Sequence, residues 1–216
     1  IFPFFSLFNF ERLLIRDSLI SIGYQNQIGL LFLQNSLFIG VYSCKIFRNK
    51  FLNKKSSLIS FEPLLNHKSG AIEIINSLFS CNKVVYGGIL KVGKSDSGYN
   101  LSLKFINNSF LSNVASLKGG LFYFNNTWLK NSLENILKHY RFSFQNNNIR
   151  NNRAAQGLIA FFEGLNNISD PFIFLKLLNL KRVKFSLSDF SNQVVSSTTF
   201  FKFWDSSNDT LNSFFR

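Results

Sequence analysis

The sequence predicts an all-β fold built from stacked repeats. One signature recurs every 31 to 40 residues: an apolar residue, Asn three positions later, another apolar residue, a Gly or Ser turn and a short apolar run. The composition points the same way, because Phe, Ile, Val, Ser and Asn favour strands and turns over helices. A fixed period in this range is typical of repeats that bury their apolar faces only by stacking on one another.

The recurrent Asn anchors the alignment of the repeats, at Asn49, Asn82, Asn113, Asn152 and Asn192. Three positions earlier, four repeats carry a large apolar residue: Ile46, Phe79, Phe110 and Ile149. Asp189 breaks that rule in the last repeat. Two positions after the anchor the residue is apolar in every repeat: Phe51, Val84, Ala115, Ala154 and Val194. These apolar positions are predicted to face a shared core, and equivalent Asn side chains are expected to hydrogen-bond along the stack.

A turn follows each anchor, at Ser56-Ser57, Gly87-Gly88, Gly119-Gly120, Gln156-Gly157 and Ser196-Ser197. Glycine allows positive φ and close backbone approach, so it suits a tight corner between strands. Gly29 before Leu30 marks an earlier, degenerate repeat. Only residues 132–139 depart from the strand pattern, because a Ser cap and helical apolar spacing there predict a short loop helix.

The pattern of an aromatic or aliphatic residue, two variable positions, Asn and then a Gly-Gly-aliphatic turn resembles right-handed parallel β-helix proteins of the pectin-lyase-like type. It is especially similar to polymorphic outer-membrane-protein repeats and to β-helix surface proteins of ciliates and other protists. The resemblance covers roughly Tyr42 to Phe203. It implies a right-handed parallel β-helix of about five to six coils over residues 42–203. Residues 1–41 are then a degenerate coil or leader-proximal segment, and residues 204–216 a tail.

The formal net charge of +13 raises the question of an anionic partner. Lys and Arg are scattered along the sequence, with the densest groups at Lys54-Lys55 and at residues 181–184. This favours a solvated outer face over a nucleic-acid site. Cys44 and Cys81 occupy different repeat positions, so we expect two buried thiols more than a bridge.

No catalytic, cofactor or metal site is predicted. The chain has only 11 acidic residues, none adjacent, and Glu73, Asp96, Glu163 and Asp189 share no repeat position. Convergent carboxylates, which glycoside hydrolysis requires, are therefore not expected. His67 and His139 lack neighbours at metal-ligand spacing.

Binding is the better prospect, through loops that interrupt the repeat at residues 93–98, 125–138 and 163–171. Tyr99 and Trp128 lie in or beside them and are tentative binding residues for glycans or surface proteins, although both could instead cover core edges. The absence of Met and the initial Ile suggest a fragment of a larger chain, whose membrane attachment would lie elsewhere.

These observations predict a non-enzymatic structural or adhesive region of a surface or secreted protein. A basic, organelle-encoded (mitochondrial) component of a ribosome or membrane complex is the alternative. A degenerate polysaccharide-active β-helix enzyme is the third hypothesis.

Overall fold

A computed structural model describes residues 5–8, 11–25, 29–34, 37–63, 69–93, 99–125, 139–156, 160–163, 183–186, 201–204 and 211–214. Trp128, Gly157, Asn192 and Ser196-Ser197 lie outside these residues, as do residues 132–138 of the predicted loop helix.

The described chain winds through five complete coils of four strands each. Strand β1 (Phe5–Phe8) comes before the first complete coil. The first coil contains β2 (Arg12–Arg16), β3 (Leu19–Ile20), β4 (Tyr24–Gln25) and β5 (Leu31–Gln34). The second contains β6 (Phe38–Tyr42), β7 (Lys45–Phe47), β8 (Lys50–Phe51) and β9 (Ile59–Glu62). The third contains β10 (Ser69–Ile75), β11 (Leu78–Ser80), β12 (Lys83–Tyr86) and β13 (Leu90–Val92).

The last coils follow the same order. The fourth contains β14 (Asn100–Ile106), β15 (Ser109–Leu111), β16 (Val114–Lys118) and β17 (Phe122–Asn125). The fifth contains β18 (Tyr140–Gln145), β19 (Asn148–Arg150), β20 (Arg153–Gln156) and β21 (Ala160–Glu163). Three further strands complete the described chain: β22 (Val183–Ser186), β23 (Phe201–Trp204) and β24 (Leu211–Phe214).

Equivalent strands of successive coils pair side by side and form four sheets. Sheet 1 has the order β2-β6-β10-β14-β18-β22, and sheet 2 the order β3-β7-β11-β15-β19. Sheet 3 has the order β4-β8-β12-β16-β20, and sheet 4 the order β1-β5-β9-β13-β17-β21-β23-β24. Among the described strands, every pairing between coils is parallel, and only the final β23–β24 pair is antiparallel. The predicted parallel β-helix is confirmed.

The core consists of rows of apolar side chains that run along the stack. Phe79 pairs with Ile46 on one side and with Phe110 on the other, and Phe110 pairs with Ile149. All four side chains are buried, as the repeat predicted. Phe51, Val84 and Ala115 form a second buried row, with Ala154 packed against the core.

Phenylalanine rings fill the interior of the middle coils. The rings of Phe79 and Phe110 stack with centroids 5.6 Å apart, and Phe105 lies 4.7 Å from Phe122. Such separations fall in the range favoured by aromatic pairs. The high Phe content of the chain therefore contributes to inter-coil packing.

Each coil turns through two tight corners in which one residue adopts positive φ. The corner between sheets 1 and 2 contains Asp17, Ser43, Asn76, Asn107 and Asn146. The corner between sheets 2 and 3 contains Arg48, Cys81, Ser112 and Asn151. Asn and Asp tolerate this left-handed conformation better than other non-glycine residues, and they occupy four of the five positions named in the first corner.

Candidate functional site

The anchor asparagines lie in one buried row on the inner side of the corner between sheets 2 and 3. Nδ2 of Asn49 donates to Oδ1 of Asn82 at 2.9 Å, and Asn82 donates likewise to Asn113 at 3.0 Å. Asn113 continues the row by donating to Asn152 at 3.0 Å. The row therefore forms a continuous side-chain ladder across four coils, whose sequence separations of 33, 31 and 39 residues do not disturb it.

The ladder also satisfies backbone groups that the tight corner leaves unpaired. Oδ1 of Asn113 accepts from the backbone N–H of Asn82 at 3.2 Å, and Nδ2 of Asn113 donates to the carbonyl of Phe79 at 2.9 Å. Buried polar groups are costly when unpaired, so an amide that offers donor and acceptor together is well suited to this position. The anchor residues use their polar atoms within the scaffold, which makes them structural.

A second ladder runs through the corner between sheets 1 and 2, and the sequence reasoning missed it. Asn108 donates to Oδ1 of Asn147 at 3.0 Å and to the carbonyl of Ile74 at 2.7 Å. Toward the first coil the row continues with Ser77, whose N–H donates to Oδ1 of Asn108 at 2.9 Å, and then with Cys44. These residues all stand five positions before an anchor Asn, which is the signal that could have revealed them.

The turn that follows sheet 3 brings the backbones of successive coils into close contact. A Cβ atom on Gly88 would collide with the carbonyl oxygen of Gly120, so this position requires glycine. Gly87 and Gly119 precede them with φ of 51° and 69°. Gly29 has the same close approach to the carbonyl of Ser57.

Serine replaces both glycines in the second coil and uses its hydroxyls for hydrogen bonds. Oγ of Ser57 donates to the carbonyl of Gly87 at 2.8 Å, while Oγ of Ser56 donates to the carbonyl of Phe51 at 3.0 Å. Both serines are buried. The replacement therefore maintains the contact between coils.

The two cysteines are free and differ in exposure. Cys44 is buried and its Sγ lies 3.2 Å from the carbonyl of Tyr42, whereas Cys81 is exposed at a positive-φ corner. The expectation of two buried thiols is wrong for Cys81, because Cys81 is the corner residue directly before the ladder residue Asn82 and its side chain points outward.

Tyr99 serves the core rather than a binding surface. Its side chain is 6% exposed, and its ring lies 6.2 Å from that of Phe61. The hydroxyl packs against Gly70 and has no hydrogen-bond partner among the described residues. Burial therefore raises the pKa of this phenol well above its ordinary value. The tentative binding role of Tyr99 is not supported by this position.

The outer surface of sheet 1 carries a polar cluster. The hydroxyl of Tyr42 donates to Oε2 of Glu73 at 2.8 Å, and Nζ of Lys104 lies 3.6 Å from Oε1 of Glu73. The pKa of Tyr42 is raised, mainly by desolvation and secondly by the hydrogen bond to Glu73. The guanidinium groups of Arg12 and Arg16 lie over the rings of Phe38 and Tyr42, at 5.3 Å and 5.2 Å.

Within the described residues, no three His, Cys, Asp or Glu side chains are grouped so that they could hold a metal ion. Nδ1 of His139 lies 3.2 Å from Oδ1 of Asn100, at the exposed surface. No described helix is both long and apolar enough to cross a bilayer.

Comparisons with protein-family models, curated proteins and solved structures found no match to the chain. The geometry of the described coils alone defines the class of protein, a parallel β-helix whose recurrent polar residues hold neighbouring coils together.

Proposed function

We propose that the chain is a non-enzymatic scaffold, a structural or adhesive β-helix region of a larger surface or secreted protein. In this proposal it is a pectin-lyase-like right-handed helix, similar to polymorphic outer-membrane-protein repeats and to protist surface proteins. The stacked coils form the scaffold, and partners such as glycans or other surface proteins bind to its outer surface.

The observation that best supports a scaffold is the use of the recurrent polar side chains. In both ladders the amides bond to the next coil and to the backbone of the preceding one, as Asn113 does with Asn152 and Phe79. A catalytic residue needs polar atoms that can reach a substrate, whereas these amides use theirs for bonds within the stack. Here the repetition is explained by the stability of the stack.

The surface assignment is tested by labelling intact cells of the source with an antibody raised against the purified chain. Labelling before permeabilisation is expected. Labelling that requires permeabilisation and follows a mitochondrial marker would contradict the proposal and favour the basic organelle component.

The non-enzymatic assignment is tested separately by incubating the purified chain with polyuronides and neutral polysaccharides, with and without calcium. We expect no change in chain length and no new reducing or unsaturated ends. Turnover that survives repeated purification would establish the degenerate-enzyme reading instead.

A further inference from the structure

Positive charges that are scattered in the sequence gather on one side of the β-helix. We use the name basic face for the outer surfaces of sheets 2 and 3, the corner between them and the turn at residues 52–55. Nine cations belong to it: Lys45, Arg48, Lys50, Lys54, Lys55, Lys83, Lys118, Arg150 and Arg153. The described strands and turns that form this face contain no Asp or Glu.

The strand register places these cations on successive coils. Lys83 pairs with Lys50 on one side and with Val114 on the other, and Val114 pairs with Arg153. Neighbouring strands lie roughly 4.8 Å apart, so the second to the fifth coil span about 14 Å. The cations of the basic face are therefore distributed along the stack and on both sides of the corner between sheets 2 and 3.

The other two sheets have a different charge balance. The described acidic side chains beside or within them are Glu11, Asp17, Glu62 and Glu73, and they accompany five cations: Arg12, Arg16, Lys91, Lys104 and Arg141. The charge of the described side chains is thus close to balanced there and entirely positive on the basic face. Among the described residues, this asymmetry gives one side of the stacked coils a strong positive potential.

Exposed leucines share the basic face. Four described large hydrophobic side chains are exposed, and three of them lie on this face: Leu19, Leu52 and Leu117 at 70%, 40% and 45%. Leu19 pairs with Lys45 across sheet 2. The register of sheet 3 shifts between Ala115 and Lys118, which brings Leu117 to the surface.

From these two features we infer that the basic face binds peripherally to an anionic lipid surface. Lys and Arg near such a surface attract its acidic headgroups, while apolar side chains enter the boundary with the acyl chains. A hydrophilic polyanion, whether polysaccharide or nucleic acid, would use the cations and leave the leucines exposed to water. The inference does not depend on the proposed surface function, because it concerns only the described face.

Vesicle sedimentation with the intact chain tests the inference. The wild-type chain should bind vesicles that contain phosphatidylserine and leave pure phosphatidylcholine vesicles unbound, with binding lost as salt increases. The face variant carries Lys45→Glu, Lys83→Glu and Arg153→Glu, which should weaken partitioning roughly a hundredfold. The matched control carries Arg12→Glu, Arg16→Glu and Arg141→Glu on sheet 1 and should retain most of the binding.

A second pair of variants isolates the leucines. Leu52→Ser with Leu117→Ser should reduce vesicle binding without changing its salt dependence, whereas Leu14→Ser on sheet 1 should leave binding unchanged. Equal loss in the face and control variants, or equal binding to neutral vesicles, would overturn the inference. Tight binding to RNA or heparin together with no vesicle binding would also overturn it.

A fluorescent label gives a reading that does not depend on the folding of charge variants. Cys81 is exposed in the middle of the basic face, so a polarity-sensitive dye attached there should shift to the blue on binding anionic vesicles. The control carries the dye at Ser102→Cys in a Cys81→Ser background, because Ser102 is exposed on sheet 1. A shift at position 102 and none at position 81 would refute the assigned orientation.

Discussion

Replacing Asn113 by alanine should remove much of the stability of the β-helix. Four hydrogen bonds depend on this side chain: two that Asn82 donates to its Oδ1, and two that its Nδ2 donates to Phe79 and Asn152. At roughly 1 kcal/mol net for each bond, Asn113→Ala should lower the free energy of unfolding by about 4 kcal/mol. That is a large fraction of the roughly 5–15 kcal/mol typical of a domain.

Urea denaturation followed by far-ultraviolet circular dichroism measures this difference, with Asn107→Gly as the matched control. Asn107 is exposed, and its Nδ2 donates to Oδ1 of Asn76 at 3.2 Å at the surface. Its φ of 54° is one that glycine adopts freely. The control should therefore cost less than about 0.5 kcal/mol. A loss below about 1 kcal/mol for Asn113→Ala, or equal losses in both variants, would refute the structural importance of the ladder.

Three further predictions concern individual positions. Gly88→Ala should lower the free energy of unfolding by about 3 kcal/mol in urea denaturation, because its Cβ would meet the Gly120 carbonyl. Gly23→Ala is the control: its Cβ would meet no atom within 4 Å, so it should lose only about 1 kcal/mol for its positive φ. Similar losses in the two variants would contradict the close approach at Gly88. Tyr99→Phe should leave stability unchanged or raise it by about 1 kcal/mol, since the buried hydroxyl has no described partner. Because burial raises the folded-state pKa of Tyr99, the wild type should also lose stability relative to this variant as pH rises above about 10, the ordinary pKa of tyrosine. Parallel pH profiles would be evidence against that burial. A thiol reagent should modify Cys81 in the native chain and reach buried Cys44 only on unfolding, so rapid modification of both would contradict the position of Cys44.

The sequence was sufficient to predict the fold and the first ladder, because both depend on a residue type that recurs at one position. Asn49, Asn82, Asn113 and Asn152 keep the same chemistry in every coil, and the apolar positions around them stay apolar. The pattern survives because each residue contacts its own equivalents in the adjacent coils.

The second ladder could not be read as easily, because its members differ chemically. Asn147 and Asn108 are followed toward the first coil by Ser77 and Cys44, which satisfy the same corner with smaller groups. Only the register of the sheets shows that these residues are equivalent.

The sequence did not predict the basic face, for a different reason. Lys50, Lys83 and Arg153 are far apart in the sequence and seem scattered, yet the parallel register places them in one outward column with Val114. Charge segregation depends on which side of each coil a residue occupies, and that follows from the positions of the corners.

An engineered cross-link tests the stacking of the coils most directly. Lys50 and Lys83 are register partners, so Lys50→Cys with Lys83→Cys, in a Cys81→Ser background, places two Cα atoms roughly 4.8 Å apart. Disulfides span Cα separations of about 4.4–6.8 Å. The pair Lys50→Cys with Val114→Cys lies two coils apart, at about 10 Å, and serves as the control. Mild oxidation should link the first pair and leave the second unlinked; a link in the second pair, or in neither, would contradict the stacked coils.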